Sequence, residues 1–186
     1  MKIILINGSA GHGKDTFAEL IFKMLSDRNL DGHILHFADY LKYCCNKYLG
    51  WDGNKHTPEG RSVLQRVGGE MRETYDNFWA DTLFRLIKGI FNEDDFIIIP
   101  DLRYINEADT AYNYFSPEEI ITINISRINE DGSDYVNPFM SEDNKAHQSE
   151  NDMKNYIFDY YITNRTYSEL IETADLFTSV VFPEDE

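Results

Sequence analysis

The strongest constraint on the fold of this chain is a glycine-rich stretch close to its first residue. The apolar run KIILI, at positions 2–6, is followed by GSAGHGKDT, from Gly8 to Thr16. Apolar β-branched residues that end at Asn7-Gly8 predict a buried strand, and the apolar spacing after Lys14 predicts a helix that extends to about Arg28. A strand, a tight glycine loop and a helix, in that order, are typical of a loop that binds phosphate groups.

The residue types in this loop suit an anionic ligand. Glycines permit tight turns that leave backbone N–H groups pointing inward, and these groups form an anion cradle together with the N-terminus of the next helix. The Lys14 side chain is long enough to reach the outer phosphates of a nucleoside triphosphate. The alternative is an ordinary glycine-rich turn before a capped helix. We predict an ATP-binding loop that consists of Gly8, Gly11, His12, Gly13, Lys14, Asp15 and Thr16.

A carboxylate stands where many phosphate loops have a hydroxyl. The residue after the loop lysine is usually a Ser or Thr that holds magnesium, whereas here it is Asp15, and the hydroxyl follows at Thr16. Asp15 could complement the positive end of the helix dipole, and it could also contact a hydrated magnesium ion. The two roles are compatible, so the sequence leaves both open.

The rest of the chain alternates predicted strands and helices. Two or three helices are predicted between Asp39 and Ile90, a short one at 106–115 and a last one at 166–177. The predicted strands after the first are HILHF (33–37), FIIIP (96–100), EEIITINIS (118–126) and IFDYYITN (157–164). This alternation predicts an α/β fold with a parallel sheet of five strands and helices on both faces. Ligands of such sheets bind at the carboxyl ends of the strands, where both the glycine loop and Asp101-Leu102-Arg103 are predicted to lie.

Composition narrows the compartment and the partners. The 186 residues suit one domain, and 17 basic against 33 acidic residues give a formal charge of -16, which argues against stable binding to duplex nucleic acid. The sequence shows neither a membrane-spanning apolar run nor a signal peptide, so we expect a cytoplasmic protein, or one in the host cytoplasm if it is viral. The adjacent Cys44 and Cys45 are predicted to be free thiols, because a disulfide between neighbours is strained.

Four segments in a fixed order carry a family resemblance. GKDT (13–16), LQRVGGEMR (64–72), DLRYINE (101–107) and HQSEN (147–151) together resemble phage-type deoxynucleoside monophosphate kinases, within the P-loop nucleoside monophosphate kinase superfamily. The resemblance implies a P-loop kinase fold in a single domain, 1–186, with an acceptor-binding helical insertion at about 38–92 and a lid at about 127–152. It also implies ATP with Mg²⁺ as the donor and a (deoxy)nucleoside monophosphate as the acceptor.

The same resemblance, together with the placement of each residue, supplies candidate site residues. The candidate catalytic residues are Lys14, Asp101, Arg103 and Arg127. Asp15 and Asp101 are the candidates to hold magnesium through water, and Asn164 is a candidate contact to the adenine of ATP. The candidate acceptor-binding residues are Asp39, Lys42, Gln65, Arg66, Glu70, Arg72, Arg103, Glu107, His147 and Glu150. Phe78 and Trp79 are predicted to be core residues rather than a platform for base stacking.

Two other functions remain open from the residues alone. One is a different small-molecule kinase, of the dephospho-coenzyme A kinase or phosphomevalonate kinase type. The other is a regulatory module that binds a nucleotide without an acceptor; against it, the chain lacks an N-K-x-D guanine-recognition motif and a Ser or Thr directly after Lys14. Small-molecule nucleotides are the expected partners, and a homodimer is left open.

Overall fold

A parallel sheet forms the centre of the molecule. The computed structural model describes residues 1–54, 57–138 and 151–183. Within these residues the sheet has five strands in the order β2-β3-β1-β4-β5, all parallel to their neighbours. Because the strands are parallel, their carboxyl ends share one edge of the sheet. The strands are β1 (Lys2–Asn7), β2 (Gly32–Ile34), β3 (Phe96–Ile99), β4 (Ile120–Arg127) and β5 (Tyr160–Asn164).

Helices cover both faces of this sheet. The sequence predicted two or three helices between residues 39 and 90, and the structure has three there. A one-turn 3₁₀ helix, Asp152–Asn155, precedes β5. None of the helices in the described segments combines the length and apolar character needed to cross a lipid bilayer. The helices are α1 (Lys14–Asp27), α2 (Ala38–Leu49), α3 (Pro58–Thr74), α4 (Phe78–Ile90), α5 (Ile105–Ala111) and α6 (Tyr167–Val181).

Alternate residues of each central strand enter different cores. Ile4 and Ile6 pack with α1 and α6 on one face, whereas Ile3 and Leu5 pack with α4 and α5 on the other. All four side chains are fully buried, as expected for a central parallel strand that is covered on both sides. The continuous apolar run KIILI therefore reflects burial on two faces.

A third, smaller hydrophobic cluster lies within the helical insertion formed by α2, α3 and α4. Its buried members are Leu41, Cys45, Trp51 and Trp79, with Phe78 packed against them. Trp79 is 4% exposed, and its indole N–H donates to the Gly68 carbonyl at 3.2 Å. Trp79 is thus a core residue, as predicted, and Phe78 is partly buried against the same cluster. Both cysteines are free thiols, also as predicted.

The second strand is shorter than its apolar run predicts. The structure ends β2 at Ile34, and Phe37, the last residue of HILHF, begins the turn into α2. The cause is Asp101, whose two carboxylate oxygens accept hydrogen bonds from the backbone N–H groups of Phe37 and Ala38, at 3.0 and 3.2 Å. These bonds satisfy donors of the first turn of α2, so the chain becomes helical where hydrophobicity alone favours a strand.

Part of the predicted lid is described. After β4 the chain makes a tight turn through Gly132, and Ile128 pairs with Asp134 in an antiparallel bridge. The following residues lie on the glycine loop, where the Asn137 side-chain amide donates to the Ala10 carbonyl at 3.2 Å. His147 and Glu150, the two lid residues predicted to contact the acceptor, lie outside the described residues.

Candidate active site at the carboxyl edge of the sheet

The glycine loop has the tight backbone that its sequence predicts. Gly8 has φ of 153°, and a Cβ atom there would lie 2.3 Å from the carbonyl oxygen of Ile125 on β4. Gly13 caps α1 in the left-handed conformation, with φ of 96°. Gly8 is therefore required because a side chain would collide with β4, and Gly13 because its backbone is left-handed. The loop leads directly into the N-terminus of α1, where backbone N–H groups have no partner within the helix.

Lys14 lies at the start of α1 and folds back along the loop. Its residue is only 6% exposed, and its Nζ atom donates to the Ser9 carbonyl at 3.0 Å. A buried ammonium group is costly unless oxygen atoms surround it, and phosphate oxygens would provide such a surrounding. The position agrees with the predicted contact to the donor phosphates.

Asn164 connects the end of β5 to the glycine loop through hydrogen bonds. The side chain ends β5, is 5% exposed, and donates from Nδ2 to the carbonyls of His12, at 3.2 Å, and Ser126, at 2.8 Å. Both hydrogens of its amide group therefore have partners within the protein. Asn164 thus holds the loop in shape, and its predicted contact with adenine stays a prediction.

Arg127 ends β4 beside the loop. Its backbone N–H donates to His12 Nδ1 at 3.3 Å, and its guanidinium carbon lies 4.4 Å from the centre of the Tyr135 ring. The rings of His12 and Tyr135 meet edge to face, with centroids 5.8 Å apart. The fold thus brings together His12 and Arg127, two of the predicted site residues. It also places Tyr135 beside them, a residue that the sequence analysis did not select. An exposed guanidinium stacked on an aromatic ring keeps its donors available to a ligand.

A large cavity opens between the helical insertion and the carboxyl edge of the sheet, and none of the loop residues 8–16 is among the residues that line it. Its volume is about 850 Å³, within the range of small-molecule sites. Of the predicted site residues, it is lined by Gln65, Arg72, Asp101, Arg103 and Glu107. Asp39, Lys42, Arg66 and Glu70 are not among the described residues that line it.

Helical geometry explains which residues of α3 reach the cavity. Gln65, Gly69, Arg72, Glu73 and Asp76 line it, and their spacing of three or four residues places them on one side of the helix or just beyond its end. Arg66 and Glu70 do not line the cavity and are exposed to solvent. Lys42, predicted to steer the acceptor phosphate, instead pairs with Asp39 at 2.9 Å, which is the surface pair that its spacing also allowed.

Arg72 is held in the cavity by three different contacts. Its guanidinium donates to the Glu107 carboxylate and to the Gly68 carbonyl, each at 3.3 Å, and its central carbon lies 4.4 Å from the centre of the Tyr104 ring. The other Glu107 oxygen accepts from the backbone N–H groups of Arg103 and Tyr104. The Glu107 carboxylate therefore positions Arg72 and the start of α5, while its predicted contact with the acceptor stays a prediction.

Glu107 gives the site a testable dependence on pH. Burial raises the pKa of Glu107 from 4.5 to about 7, and the Arg72 guanidinium opposes that rise only in part. Between these two pH values the folded state keeps a proton that the unfolded state releases, so this group makes the protein less stable as the pH rises. The loss across the window is on the order of 3 kcal/mol.

We therefore expect Glu107→Gln to flatten this part of the stability profile, because an amide cannot ionise. Urea unfolding of both proteins across the window measures the free energy of unfolding, and the difference between them should shift in favour of the variant as the pH rises. Glu19→Gln, on the exposed side of α1, controls for the loss of a carboxylate. Parallel profiles for the wild type and Glu107→Gln would contradict the expectation.

His36 occupies a position that the sequence did not single out. Its Nδ1 lies 3.3 Å from the Asp39 carboxylate, and its Nε2 lies 3.9 Å from that of Asp15. Interaction with Asp15 is the largest cause that raises the pKa of His36 to about 9, followed by the contact with Asp39, while burial acts in the opposite direction. The available signal was a histidine three residues before Asp39 at the end of a predicted strand, as in HFAD.

The two predicted magnesium ligands do not form a closed metal site. No cluster of three or more His, Cys, Asp or Glu in the described segments is arranged to hold a metal ion. The Asp15 carboxylate is 78% exposed, and Asp101 binds the start of α2 as described above. This arrangement fits magnesium that arrives with a phosphate ligand and keeps most of its water, which is how proteins commonly hold this ion.

Comparison with known proteins identifies the fold. No model of a protein family matches the sequence, and no curated protein matches it. Solved structures similar to this one include the APS kinase of Mycobacterium tuberculosis, as a cysteine-to-alanine mutant, with a TM-score of 0.50. The same enzyme in complex with AMPPNP and APS gives a TM-score of 0.51. In both cases the identity is 15% and the match covers 97% of this chain and 96% of the other. The chain therefore has a P-loop kinase fold, as predicted.

Proposed function

We propose that the protein is a kinase that transfers the γ-phosphoryl group of ATP to the phosphate of a (deoxy)nucleoside monophosphate. One observation carries the proposal: a cavity lined by Arg72 and Arg103 opens at the carboxyl edge of the sheet, the same edge that carries the glycine loop. Two anions can thus meet at this edge. The donor is bound by backbone N–H groups and Lys14, and the acceptor phosphate by guanidinium groups, which suit a planar phosphate contact better than an ammonium does.

Positioning and charge stabilisation account for the chemistry of such a transfer. The acceptor is already a phosphate oxygen, so the protein need not supply a covalent nucleophile. In the proposed reaction Lys14 and the loop amides bind the donor, and Arg103 and Arg127 neutralise charge on the transferring group. Asp15 and Asp101 are the residues that would hold hydrated magnesium, and this ion, when bound, neutralises charge on the phosphates of ATP.

The site also favours enclosure of the donor. The segment after β4 contacts the tip of the loop through Tyr135 and Asn137. Exclusion of water from the loop would limit hydrolysis of ATP and strengthen every charge interaction within the site. The expected partners are therefore small-molecule nucleotides. The strongly acidic composition, which disfavours binding to duplex nucleic acid, agrees with this.

A panel of acceptors tests the proposal. We expect radiolabelled ATP to transfer its γ-phosphoryl group to at least one of the eight common ribo- and deoxyribonucleoside monophosphates. APS belongs in the panel because a similar structure was solved with AMPPNP and APS bound. Dephospho-coenzyme A and phosphomevalonate represent the non-nucleoside-monophosphate alternative. Label in one of these alone would disprove the substrate class, and slow ATP hydrolysis that no acceptor changes would favour a regulatory module.

Thermal shift separates binding from turnover. A ligand that binds only the folded state raises the melting temperature, so ATP and each monophosphate should do so separately, and by more when both are present. The Lys14→Ala variant is the control in which binding of ATP should be weakened. A monophosphate that raises the melting temperature of this variant, while ATP does not, would place the two ligands in different sites.

A further inference from the structure

His36 lies between the donor and acceptor halves of the site, and the mechanism above does not use it. The residue follows β2 at the carboxyl edge of the sheet, and 30% of its side chain is exposed. Its two ring nitrogens face carboxylates on two different helices. Nε2 faces Asp15, in the first turn of α1, and Nδ1 faces Asp39, in the first turn of α2.

The first of these helices belongs to the donor side. Asp15 follows Lys14 directly, so its position is fixed by the same turn of α1 that ends the glycine loop. The distance of 3.9 Å between Nε2 and Asp15 Oδ1 is within the range of an ion pair, although it is too long for a direct hydrogen bond. A shift of this turn when a triphosphate binds would therefore change the distance to the His36 ring.

The second helix belongs to the acceptor side. Asp39 Oδ2 accepts from the backbone N–H of His36 at 3.2 Å as well as facing its ring, and Asp39 Oδ1 accepts from Lys42. Phe37 and Ala38, between His36 and Asp39, line the large cavity, and their N–H groups are bound by Asp101. The start of α2 is thus fixed by Asp101 on one side and by the contacts of His36 on the other.

We propose that His36 is a positioning residue that couples the occupied phosphate loop to the N-terminal turn of α2, and so aligns the acceptor wall with the bound donor. The inference rests on the proposed function for its kinetic consequence, but not for the coupling itself. Alignment matters because a displacement of about 1 Å between reacting groups can cost on the order of 100-fold in rate. The bridge requires both ring nitrogens, since either contact alone would join His36 to only one helix.

Three substitutions separate the two contacts. His36→Asn places an amide nitrogen near the position of Nδ1 and can keep the contact with Asp39, whereas His36→Gln reaches toward the position of Nε2 and Asp15. His36→Ala removes both. The matched control is His33→Gln, because His33 lies on β2, three residues before His36, and pairs with Asp94 at 2.7 Å, away from the cavity and the loop.

Hydrogen–deuterium exchange with MgADP as the probe measures the coupling without turnover. In the wild type and His33→Gln, MgADP should slow exchange both in the glycine loop and at the first turn of α2. In all three His36 variants the loop should still be protected, while the protection of α2 is lost. Coupling that survives in His36→Asn would overturn the inference, because the contact with Asp39 would then suffice and no bridge would be needed.

Kinetics provides the second measurement. The His36 variants should lose about 10- to 100-fold in kcat, with KM for both substrates changed less than about three-fold, because alignment rather than binding is affected. A kcat within about two-fold of the wild type in His36→Ala would overturn the inference. If MgADP fails to protect the loop of the wild type, the donor site and the inference both fail. If the coupling is present but no monophosphate accepts a phosphoryl group, only the proposed acceptor fails.

Discussion

Replacement of Lys14 by alanine should lower kcat/KM by about 10²- to 10³-fold, the loss typical of a preorganised charge that acts on the transferring group. The reason is local. Lys14 is a buried cation against the backbone of the loop, and the described part of the loop provides no other side-chain ammonium or guanidinium group. Water that replaced the lysine would restore hydrogen bonds to the phosphates but would not neutralise their charge.

The measurement is transfer of label from ATP to the preferred acceptor, together with the melting temperature in the presence of MgATP. The stabilisation by MgATP should be reduced in Lys14→Ala, while stabilisation by the acceptor alone should persist. Lys23→Ala, on the exposed side of the same helix, is the control for the loss of a lysine from α1. Full turnover by Lys14→Ala would disprove the assignment of the loop as the donor site.

The second large effect is expected at Arg72. Arg72→Ala should raise KM for the acceptor by about 10- to 100-fold, a free energy of about 1.4 to 2.8 kcal/mol, and leave KM for ATP nearly unchanged. Arg72→Lys should recover little of this loss. Lysine lacks the planar fork that simultaneously contacts the Glu107 carboxylate, the Gly68 carbonyl and the Tyr104 ring.

Stability and binding can be separated in this experiment. Removal of Arg72 leaves Glu107 buried without its cation, but the raised pKa of Glu107 allows this group to take up a proton near neutral pH instead of remaining charged. We therefore expect the variant to fold, with a modest loss of melting temperature. Arg61→Ala, on the exposed face of the same helix, provides the control. An unchanged KM for every acceptor in Arg72→Ala would remove Arg72 from the proposed phosphate site.

Local sequence signals predicted the backbone of this site better than its side-chain contacts. The strand, glycine loop and helix from residue 2 onward depend on apolar spacing and on glycine, both of which can be seen in a short window. The parallel order of the strands follows from their alternation with helices, so the placement of Asp101 beside the loop could also be predicted.

Contacts between distant segments could not be predicted in the same way. The hydrogen bonds with which Asp101 ends β2 early and begins α2 could not be predicted, because only the folded chain shows them. That early end also places His36 outside the strand. Arg66 was predicted to face the acceptor on motif similarity, but its side chain is exposed and does not line the cavity. The roles of Asn164 and Glu107 depend on the burial of their side chains, which cannot be predicted from the residue type because asparagine and glutamate are usually exposed.

The hydrogen bonds of Asn164 have a consequence for how tightly a phosphate can be held. Because one amide group joins the end of β5 to His12 and Ser126, the curvature of the loop is set when the sheet assembles. The entropy of ordering these residues is then lost during folding and not at the moment of association, which leaves more of the contact energy to appear as affinity.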